Sequence, residues 1–326
     1  MSIVLMTGGT GFIGSFILKN LFSDESISEI VIITRDCEIA KNTLLKKNIN
    51  CDKHIFIELN FKKILKLDNR DLKQILSCDK VYHIAACISL SNSPKIIDIN
   101  FNGTKFILDL FISSGVKLDK FVFFSTAYAF GIRETSVQEN WILEKPRRFR
   151  NTYEESKFLC EKLIYEYHKK YNLNYLIIRP SVVISKKYNS KSRPQTIFLF
   201  GYYLKQYDCV DLYCSINPVL NIVSVEKLVK VFELVEKNNI CNKIINVVGE
   251  NVPISVITNS YEKSFNVKVN LKKCSRGESI DSNINSSMPY LLHPQREWEI
   301  SFLNDNNLNE NDLDVSSILL EYFKDE

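Results

Sequence analysis

The chain has 326 residues, of which 42 are Lys or Arg and 38 are Asp or Glu, so its net charge is only +4. This near balance, without a binding motif, argues against a nucleic-acid partner. The longest apolar runs, such as 27–34 and 121–125, are far too short to cross a membrane. The nine cysteines form no CxxC pair, and no secretory segment precedes the first strand, which predicts a reduced, cytoplasmic protein without a metal site.

The first element is an apolar strand, Ile3–Met6, followed directly by Thr7-Gly8-Gly9-Thr10-Gly11-Phe12-Ile13-Gly14. Gly8 is expected to permit a turn with positive φ, Gly11 to let the backbone approach a phosphate, and Gly14 to allow close helix packing. A helix predicted over 12–22 would point its free N–H groups at the pyrophosphate of a dinucleotide. The predicted cofactor contacts in this segment are Gly8, Thr10, Gly11, Phe12, Ile13 and Gly14.

The second predicted strand ends at Thr34-Arg35-Asp36. An acidic residue at such a strand end binds the ribose hydroxyls of NAD, whereas a basic residue accepts the 2′-phosphate of NADP. Thr34 takes the position of the acid, Arg35 follows it, and Lys41 lies a little further on, so the sequence favours NADPH over NADH. The alternative is that Arg35 is a solvated loop charge and that Asp36 contacts the ribose.

Short runs rich in Val, Ile and Phe alternate with helical stretches along the first 180 residues, which predicts an α/β fold with a doubly wound parallel sheet. Residues 1–180 are expected to form an NAD(P)-binding Rossmann domain. Residues 181–326 are expected to form a smaller substrate-binding region, of which about 219–247 returns to the Rossmann domain. The predicted strands are 30–34, 54–58, 80–84, 120–125, 175–179 and 220–223, and the later predicted helices are 196–206, 225–237 and 312–323.

A second functional signal lies at Asn151-Thr152-Tyr153-Glu154-Glu155-Ser156-Lys157, which opens a helix predicted to run to about Tyr171. Tyr153 and Lys157 are four residues apart and therefore share a helix face. A buried, cationic Lys157 is expected to lower the pKa of Tyr153 from its usual value of about 10. Tyr153 would then act as an acid or a base near neutral pH.

Four further motifs follow the glycine segment in a fixed order: His83-Ile84-Ala85-Ala86, Asn100-Phe101-Asn102-Gly103-Thr104, Ser125-Thr126, and the strand 175–181. With these motifs and the Tyr153/Lys157 pair, the chain resembles an extended short-chain dehydrogenase/reductase over most of its length. Within that family it is most similar to the fatty acyl and thioester reductase branch. The segments that carry this closer resemblance are 125–128, 151–153 and 58–67 leading into Asp71-Leu72.

The resemblance implies that Tyr153 donates a proton to the substrate oxygen, that Lys157 tunes Tyr153 and holds the nicotinamide ribose, and that Thr126 orients the carbonyl. Asn100 is a catalytic candidate for which a proton relay and a structural role are both open. His83 is expected to be buried and structural. The further cofactor contacts that the resemblance implies are Arg35, Glu58, Leu59, Ala85, Ala86, Tyr153, Lys157 and Pro180.

Two basic clusters, 145–150 and 186–193, are expected near the mouth of the pocket, where they could grip a phosphopantetheine phosphate, coenzyme A or an acidic acyl carrier protein. Either cluster could equally be a solvated loop. The function predicted from the sequence is NADPH-dependent reduction of an acyl thioester to an aldehyde or alcohol. The alternatives are a carbonyl reductase or hydroxyl dehydrogenase like the dihydroflavonol reductases, a sugar-nucleotide epimerase or dehydratase, and an inactive cofactor-sensing protein.

Overall fold

The computed structural model describes residues 1–51, 54–61, 67–89, 93–185, 195–273, 288–311 and 313–324. The elements run in the order β1 (Ser2–Thr7), α1 (Phe12–Phe22), β2 (Ile27–Thr34), α2 (Cys37–Lys46), β3 (Ile55–Glu58), α3 (Asn69–Leu76), β4 (Lys80–His83), α4 (Pro94–Ser113), β5 (Lys120–Phe124), α5 (Thr152–Tyr171), β6 (Tyr175–Pro180), β7 (Val182–Ile184), α6 (Thr196–Leu204), β8 (Cys209–Cys214), β9 (Val219–Ser224), α7 (Val225–Lys237), β10 (Lys243–Val247), β11 (Glu250–Pro253), α8 (Ile254–Ser264), β12 (Lys268–Lys273), α9 (Met288–Leu292), α10 (Ser301–Asp305) and α11 (Val315–Tyr322).

The central feature is a sheet of seven strands in the described part of the chain, in the order β10-β6-β5-β4-β1-β2-β3. Every neighbouring pair in it is parallel. The strand order reverses between β1 and β4, and ligands of open α/β sheets bind outside the carboxyl ends of the strands at such a reversal. The predicted α/β fold with a doubly wound parallel sheet is confirmed.

The sheet is buried on both faces because the central residues of its strands are almost all apolar. In β1, Val4 and Met6 pack in the same core layer as residues of α1 and α7, whereas Leu5 points to the opposite layer, which α4 and α5 cover. This alternation follows from the two-residue period of a strand. The two helical layers fix α1 and α5, which carry the predicted site motifs, on opposite faces of one sheet.

The segment after β6 builds two smaller sheets. Strand β9 pairs with β7 in parallel and with β11 in antiparallel orientation, while β8 pairs with β12. Helix α7 lies in the same core layer as α1, and β10 adds the seventh strand to the central sheet beside β6. A separate apolar core, which includes Phe198, Tyr261 and Phe323, joins α6, α8 and α11.

Within the described ranges, no helix combines the length and the apolar character needed to cross a bilayer. The same residues contain no group of three or more His, Cys, Asp or Glu side chains placed to hold a metal ion. The second basic cluster, 186–193, lies outside the described residues.

Candidate active site

The predicted site motifs meet at the carboxyl edge of the central sheet. Gly8 follows β1, Ala85 follows β4, Thr126 follows β5 and Pro180 ends β6. Backbone hydrogen bonds continue the strand pairing into these segments, since the Ala127 N–H donates to the Pro180 carbonyl at 2.8 Å. Four segments that are distant in the sequence are therefore brought to one crevice, at the reversal of strand order.

The turn after β1 requires two of its glycines. Gly8 has a φ of +76°, and a Cβ on it would lie 2.6 Å from the backbone nitrogen of Ala85. A Cβ on Gly14 would overlap the backbone carbonyl of Gly8, so the first turn of α1 packs against the loop that precedes it. Gly11 is the N-cap of helix α1 and supplies no capping side chain, and the first turn contains no acidic residue. Its free N–H groups and positive dipole end are thus not neutralised by a carboxylate of that turn.

The structure gives Asp36, at the end of β2, a local role. The Asp36 carboxylate accepts a hydrogen bond from the Ile39 N–H at 2.9 Å and so caps the N-terminus of α2. Arg35 is exposed beside it. Lys41 lies further along α2, with its ammonium 5.5 Å from the centre of the Phe56 ring.

The end of β3 carries Glu58 and Leu59, two of the cofactor contacts that the resemblance implies. Glu58 is exposed, whereas the Leu59 side chain is buried in the core layer shared with α4 and α5. The Leu59 N–H donates to the Thr34 carbonyl at 2.7 Å, which joins the ends of β2 and β3. Of these two side chains, only that of Glu58 is exposed.

Helix α5 positions the Tyr153/Lys157 pair. Asn151 caps its N-terminus by accepting the Glu154 N–H at 2.9 Å, which places Tyr153 in the first turn. Lys157 is buried one turn later, and its ammonium donates to the Phe124 carbonyl at 2.7 Å. This bond fastens α5 to the end of β5, two residues before Thr126.

The expected lowering of the Tyr153 pKa is wrong for this structure. Burial raises the pKa of the Tyr153 phenol above its usual value of 10, and the nearby Cys160 and Glu154 raise it further. Burial also lowers the pKa of Lys157 to about 8, although Cys160 and Glu161 oppose this shift. Desolvation of the phenolate outweighs any attraction from Lys157, whose ammonium is directed at the Phe124 carbonyl. Tyr153 is accordingly a protonated phenol at neutral pH.

A chain of buried hydrogen bonds starts at the glycine loop. The Ala85 N–H donates to the Thr7 hydroxyl at 3.2 Å, and that hydroxyl lies 2.8 Å from Nδ1 of His83. Nε2 of His83 lies 3.0 Å from the Thr104 hydroxyl, which donates to the Asn100 carbonyl at 2.8 Å. Because Thr104 uses its proton on Asn100, His83 donates from Nε2 and accepts at Nδ1. Burial and the charge of Lys157 lower the pKa of His83 to about 3, so the ring is neutral.

Asn100 carries this chain onward to α5. Its carboxamide oxygen accepts the Cys87 N–H at 2.7 Å, and its amide nitrogen donates to the Ser156 hydroxyl at 2.8 Å and to the Cys87 carbonyl at 3.3 Å. Ser156 in turn donates to the Tyr153 carbonyl at 2.7 Å. Both ends of the Asn100 side chain therefore hold backbone and helix in place, as a structural role requires, and the proton relay stays a prediction.

A buried ion pair supports the Ser125-Thr126 segment. Arg179 on β6 is fully buried and binds the Glu161 carboxylate of α5 through two nitrogens, at 2.7 and 3.1 Å. Ser125 donates a short hydrogen bond to the same carboxylate. Sequence reasoning assigned no role to Glu161, although it lies four residues after Lys157 on the same face, and a charge within the apolar strand β6 demands a partner.

The first basic cluster does not act as one charged surface. Arg150 is buried, and its guanidinium donates to the carbonyls of Gly131 and His293 at distances of 2.7 to 2.9 Å. It also pairs with Glu154 at 3.4 Å. Arg150 thus holds the C-terminal segment against the start of α5, and its expected role in phosphate binding is wrong. Arg147 and Arg148 remain exposed.

The model of the male sterility protein family matches residues 6–232, which is more than half of the chain. The chain belongs to the male sterility protein family. The predicted resemblance to the extended short-chain dehydrogenase/reductases, a class of NAD(P)-dependent enzymes, is confirmed by this match and by the fold. The chain accordingly has an NAD(P)-binding fold.

Two curated relatives come from Dictyostelium discoideum. A dTDP-D-glucose 4,6-dehydratase is 27% identical over 262 residues, which cover 75% of this chain and 57% of the relative. A probable polyketide synthase 9/36 is 26% identical over 304 residues, which cover 82% of this chain and 10% of the synthase. The chain therefore spans about half of the first relative and a tenth of the second.

Two solved structures share the fold along 99% of this chain. The terminal R domain from the myxalamid PKS-NRPS biosynthetic pathway has a TM-score of 0.76 and 18% identity, with 90% of that domain covered. A UDP-glucuronic acid 4-epimerase from Bacillus cereus, bound to NAD and a fluorinated UDP-glucuronic acid, has a TM-score of 0.72 and 21% identity, with 99% of it covered. At these identities the likeness shows the fold alone.

Replacing Gly14 by Ala should destabilise the folded protein by roughly 1 to 3 kcal/mol, because the added Cβ overlaps the backbone carbonyl of Gly8. The matched control is Gly9→Ala, whose Cβ would meet the side chains of Met6 and Leu18 at an ordinary 3.4 Å. Denaturant unfolding of both variants measures the difference. Equal losses of stability would contradict the packing described for the glycine loop.

The neutral state of His83 predicts a pH dependence of stability. The unfolded ring takes up a proton near its usual pKa of 6.5, whereas the folded ring does so only near 3. Stability from this residue is therefore complete above pH 6.5 and is lost as the pH falls towards 3, by up to about 1.4 kcal/mol per pH unit. Urea unfolding between pH 7 and 4 should show a shallower slope for His83→Gln than for the wild type. Identical slopes would refute the assignment.

Proposed function

We propose that the protein is an NADPH-dependent reductase of an acyl thioester, linked to a carrier protein or coenzyme A, and that it forms an aldehyde or an alcohol. The observation that carries the proposal is the end of β2, where Asp36 caps α2 and leaves the exposed Arg35 as the charged side chain for a ribose phosphate. A basic residue there favours NADPH, the reductant of biosynthesis. The epimerase and dehydratase structures that share this fold contain NAD.

The residues at the sheet edge fit an NAD(P) cofactor. Gly8 and Gly14 let the loop pack directly on the backbone at Ala85 and on the start of α1, and the first turn of α1 offers N–H groups without an acidic neighbour. Beyond these groups, Arg35, Ala85 and Lys157 are the residues that would hold the cofactor. Bound there, NADPH supplies a hydride to the carbonyl carbon of the substrate.

The protein's own part in the reaction is proton transfer and stabilisation of the oxyanion. Tyr153 is a protonated phenol, so it is suited to donate a proton to the carbonyl oxygen as negative charge develops there. Thr126 can provide a second hydroxyl to the same oxygen. Lys157, with a pKa of about 8, is largely charged at neutral pH and would stabilise the phenolate left behind.

The same groups can complete a thioester reduction. Protonation of the oxygen gives a hemithioacetal, and return of that proton to the Tyr153 phenolate restores the carbonyl. The carbon–sulfur bond then breaks, the electron pair leaves with the sulfur, and the thiolate takes up a proton as the thiol is released. A free aldehyde is the product, and a second round of hydride and proton transfer would convert it to an alcohol.

A sugar-nucleotide dehydratase or epimerase is the second candidate. It is favoured by the 27% identity to a dTDP-D-glucose 4,6-dehydratase over 75% of this chain. Such enzymes return the hydride to the sugar, so they consume no reduced cofactor. NADPH oxidation with a panel of acyl thioesters, aldehydes, ketones and sugar nucleotides separates the two candidates. Oxidation with acyl thioesters supports the proposal, whereas turnover of sugar nucleotides without net oxidation contradicts it.

NADPH should bind more tightly than NADH, and Arg35→Ala should remove most of that preference, because the guanidinium forms a charge-assisted pair with the 2′-phosphate. Loss of such a pair should weaken NADPH binding by about 1.5 to 3 kcal/mol and leave NADH binding unchanged. Fluorescence titration with both cofactors measures the effect, with Lys19→Ala on α1 as a control of equal charge. Equal affinities of the wild type for NADPH and NADH would contradict the assignment.

Tyr153→Phe should lower kcat by roughly two to four orders of magnitude and leave cofactor affinity nearly intact, because only the proton donor is lost. Lys157→Ala should weaken both turnover and cofactor binding. Tyr165→Phe on the same helix is the matched control and should retain full activity. Near-wild-type turnover of the Tyr153 variant would exclude this residue as the acid.

Neutralising the exposed Arg147 and Arg148 together should raise KM for an acyl carrier protein thioester or a coenzyme A thioester far more than for a free aldehyde. Uniform binding energy appears in KM, so kcat should change little, and the effect should shrink as salt rises. The control replaces Lys169 and Lys170, which are exposed at the opposite end of α5. An equal rise in KM for the thioester and the aldehyde would show that Arg147 and Arg148 do not recognise the carrier part of the substrate.

A further inference from the structure

Lys47 lies directly after α2 and reaches across to the glycine loop. Its ammonium donates to the carbonyls of Thr10 and Gly11, at 3.1 and 3.3 Å, and to the Ser15 hydroxyl at 3.0 Å. Three acceptors match the three N–H donors of a lysine. The side chain is half-buried, and burial lowers its pKa from 10.5. Neither the sequence motifs nor the mechanism gives this residue a role.

The contacts of Lys47 fix the direction of the peptide groups at the start of α1. In a trans peptide the carbonyl and the following N–H point in opposite directions. Holding the Gly11 carbonyl therefore orients the N–H of Phe12, which is the first residue of α1 and has no acceptor within the helix. The Gly11 carbonyl also accepts the Ser15 N–H, and Ser15 donates its hydroxyl proton to the Phe12 carbonyl. Lys47 thus holds the peptide groups that precede α1 and, through Ser15, the first turn of the helix itself.

The charge of Lys47 acts in the same direction. The first turn of α1 contains no acidic residue, and its N-cap, Gly11, has no side chain. A cation hydrogen-bonded to the carbonyls polarises their peptide groups, so the N–H groups become stronger donors. It also adds to the positive end of the helix dipole, at the place where an anion would bind. Geometry and charge therefore both favour a negatively charged ligand on the N–H side of the loop.

We propose that Lys47 is a positioning residue for the pyrophosphate of the cofactor, which acts from behind the loop by orienting the N–H groups of the first turn of α1. The inference rests on the NAD(P) cofactor of the proposed function and not on its substrate. Lys47 differs from Arg35 in one respect that can be measured. The pyrophosphate is common to NADPH and NADH, so Lys47 serves both cofactors equally, whereas Arg35 serves only the cofactor with a 2′-phosphate.

The test is the affinity of Lys47→Met for NADPH and for NADH, measured by titration calorimetry without any substrate. Both dissociation constants should rise by the same factor, roughly tenfold. Lys46→Met removes an equal charge from the neighbouring exposed position and should change neither constant by more than twofold. In steady-state assays the KM for NADPH should rise, whereas kcat at saturating NADPH and the KM for the acyl substrate should stay unchanged.

Three outcomes would overturn the inference. A lowered melting temperature with both dissociation constants within twofold of the wild type would show that Lys47 only stabilises the packing of α2 against the loop. Weaker binding of NADPH with unchanged binding of NADH would show that Lys47, like Arg35, recognises the 2′-phosphate. Lys47→Ala, which removes all three N–H donors and the long apolar chain, serves if the Met variant does not fold, and unchanged binding of both cofactors by Lys47→Ala would also overturn the inference. Failure of the acyl thioester assay would leave these binding results standing, so the two proposals can fail separately.

Discussion

The arrangement of the site depends on a run of buried hydrogen bonds from Thr7 at the end of β1 through His83 and Thr104 to the backbone carbonyl of Asn100. The side chain of the same Asn100 extends the run to Ser156 in α5. Each of these groups is almost fully buried, so an unmade bond would cost the desolvation of a polar group, and the run is stable only when all its members are paired. It joins the glycine loop to the turn that carries Tyr153. The part of the site that would hold a cofactor and the part that would transfer a proton are therefore positioned by the same polar groups.

Two further buried contacts fix the remaining side of the crevice. Lys157 fastens α5 to the end of β5, and Glu161 joins α5 to Arg179 on β6. Removing one partner of such a buried pair is costly because the other charge is left without compensation. The raised pKa of Tyr153 follows from the same dry surroundings, which favour the neutral phenol. Burial thus gives the site its rigidity and keeps Tyr153 protonated, which is the state from which a proton donor starts.

The sequence predicted the features that depend on local pattern. Helices α1 and α7 begin and end at the predicted residues, and strands β1 to β6 of the central sheet lie where apolar runs were found. The seventh strand, β10, was not predicted, and the predicted strand 220–223 is β9, which belongs to a smaller sheet. The burial of Arg150 could not be predicted, because this residue lies in a run of basic residues that is typical of a solvated loop. Its hydrogen-bond acceptors, the carbonyls of Gly131 and His293, are distant in the chain. The Tyr153 pKa was missed for a related reason. Helical spacing placed Lys157 nearby, but the burial of the phenol depends on tertiary packing.

The most direct test of this account is a double-mutant cycle between Thr7→Val and Ser156→Ala, with the free energy of unfolding measured for the four proteins. The two side chains lie at opposite ends of the run, and His83, Thr104 and Asn100 connect them. Distant, independent sites add to within about 0.5 kcal/mol. The account predicts a coupling energy above that limit, together with a matching coupling in NADPH affinity. Strict additivity in both measurements would show that the glycine loop and the catalytic helix are positioned independently, and would contradict it.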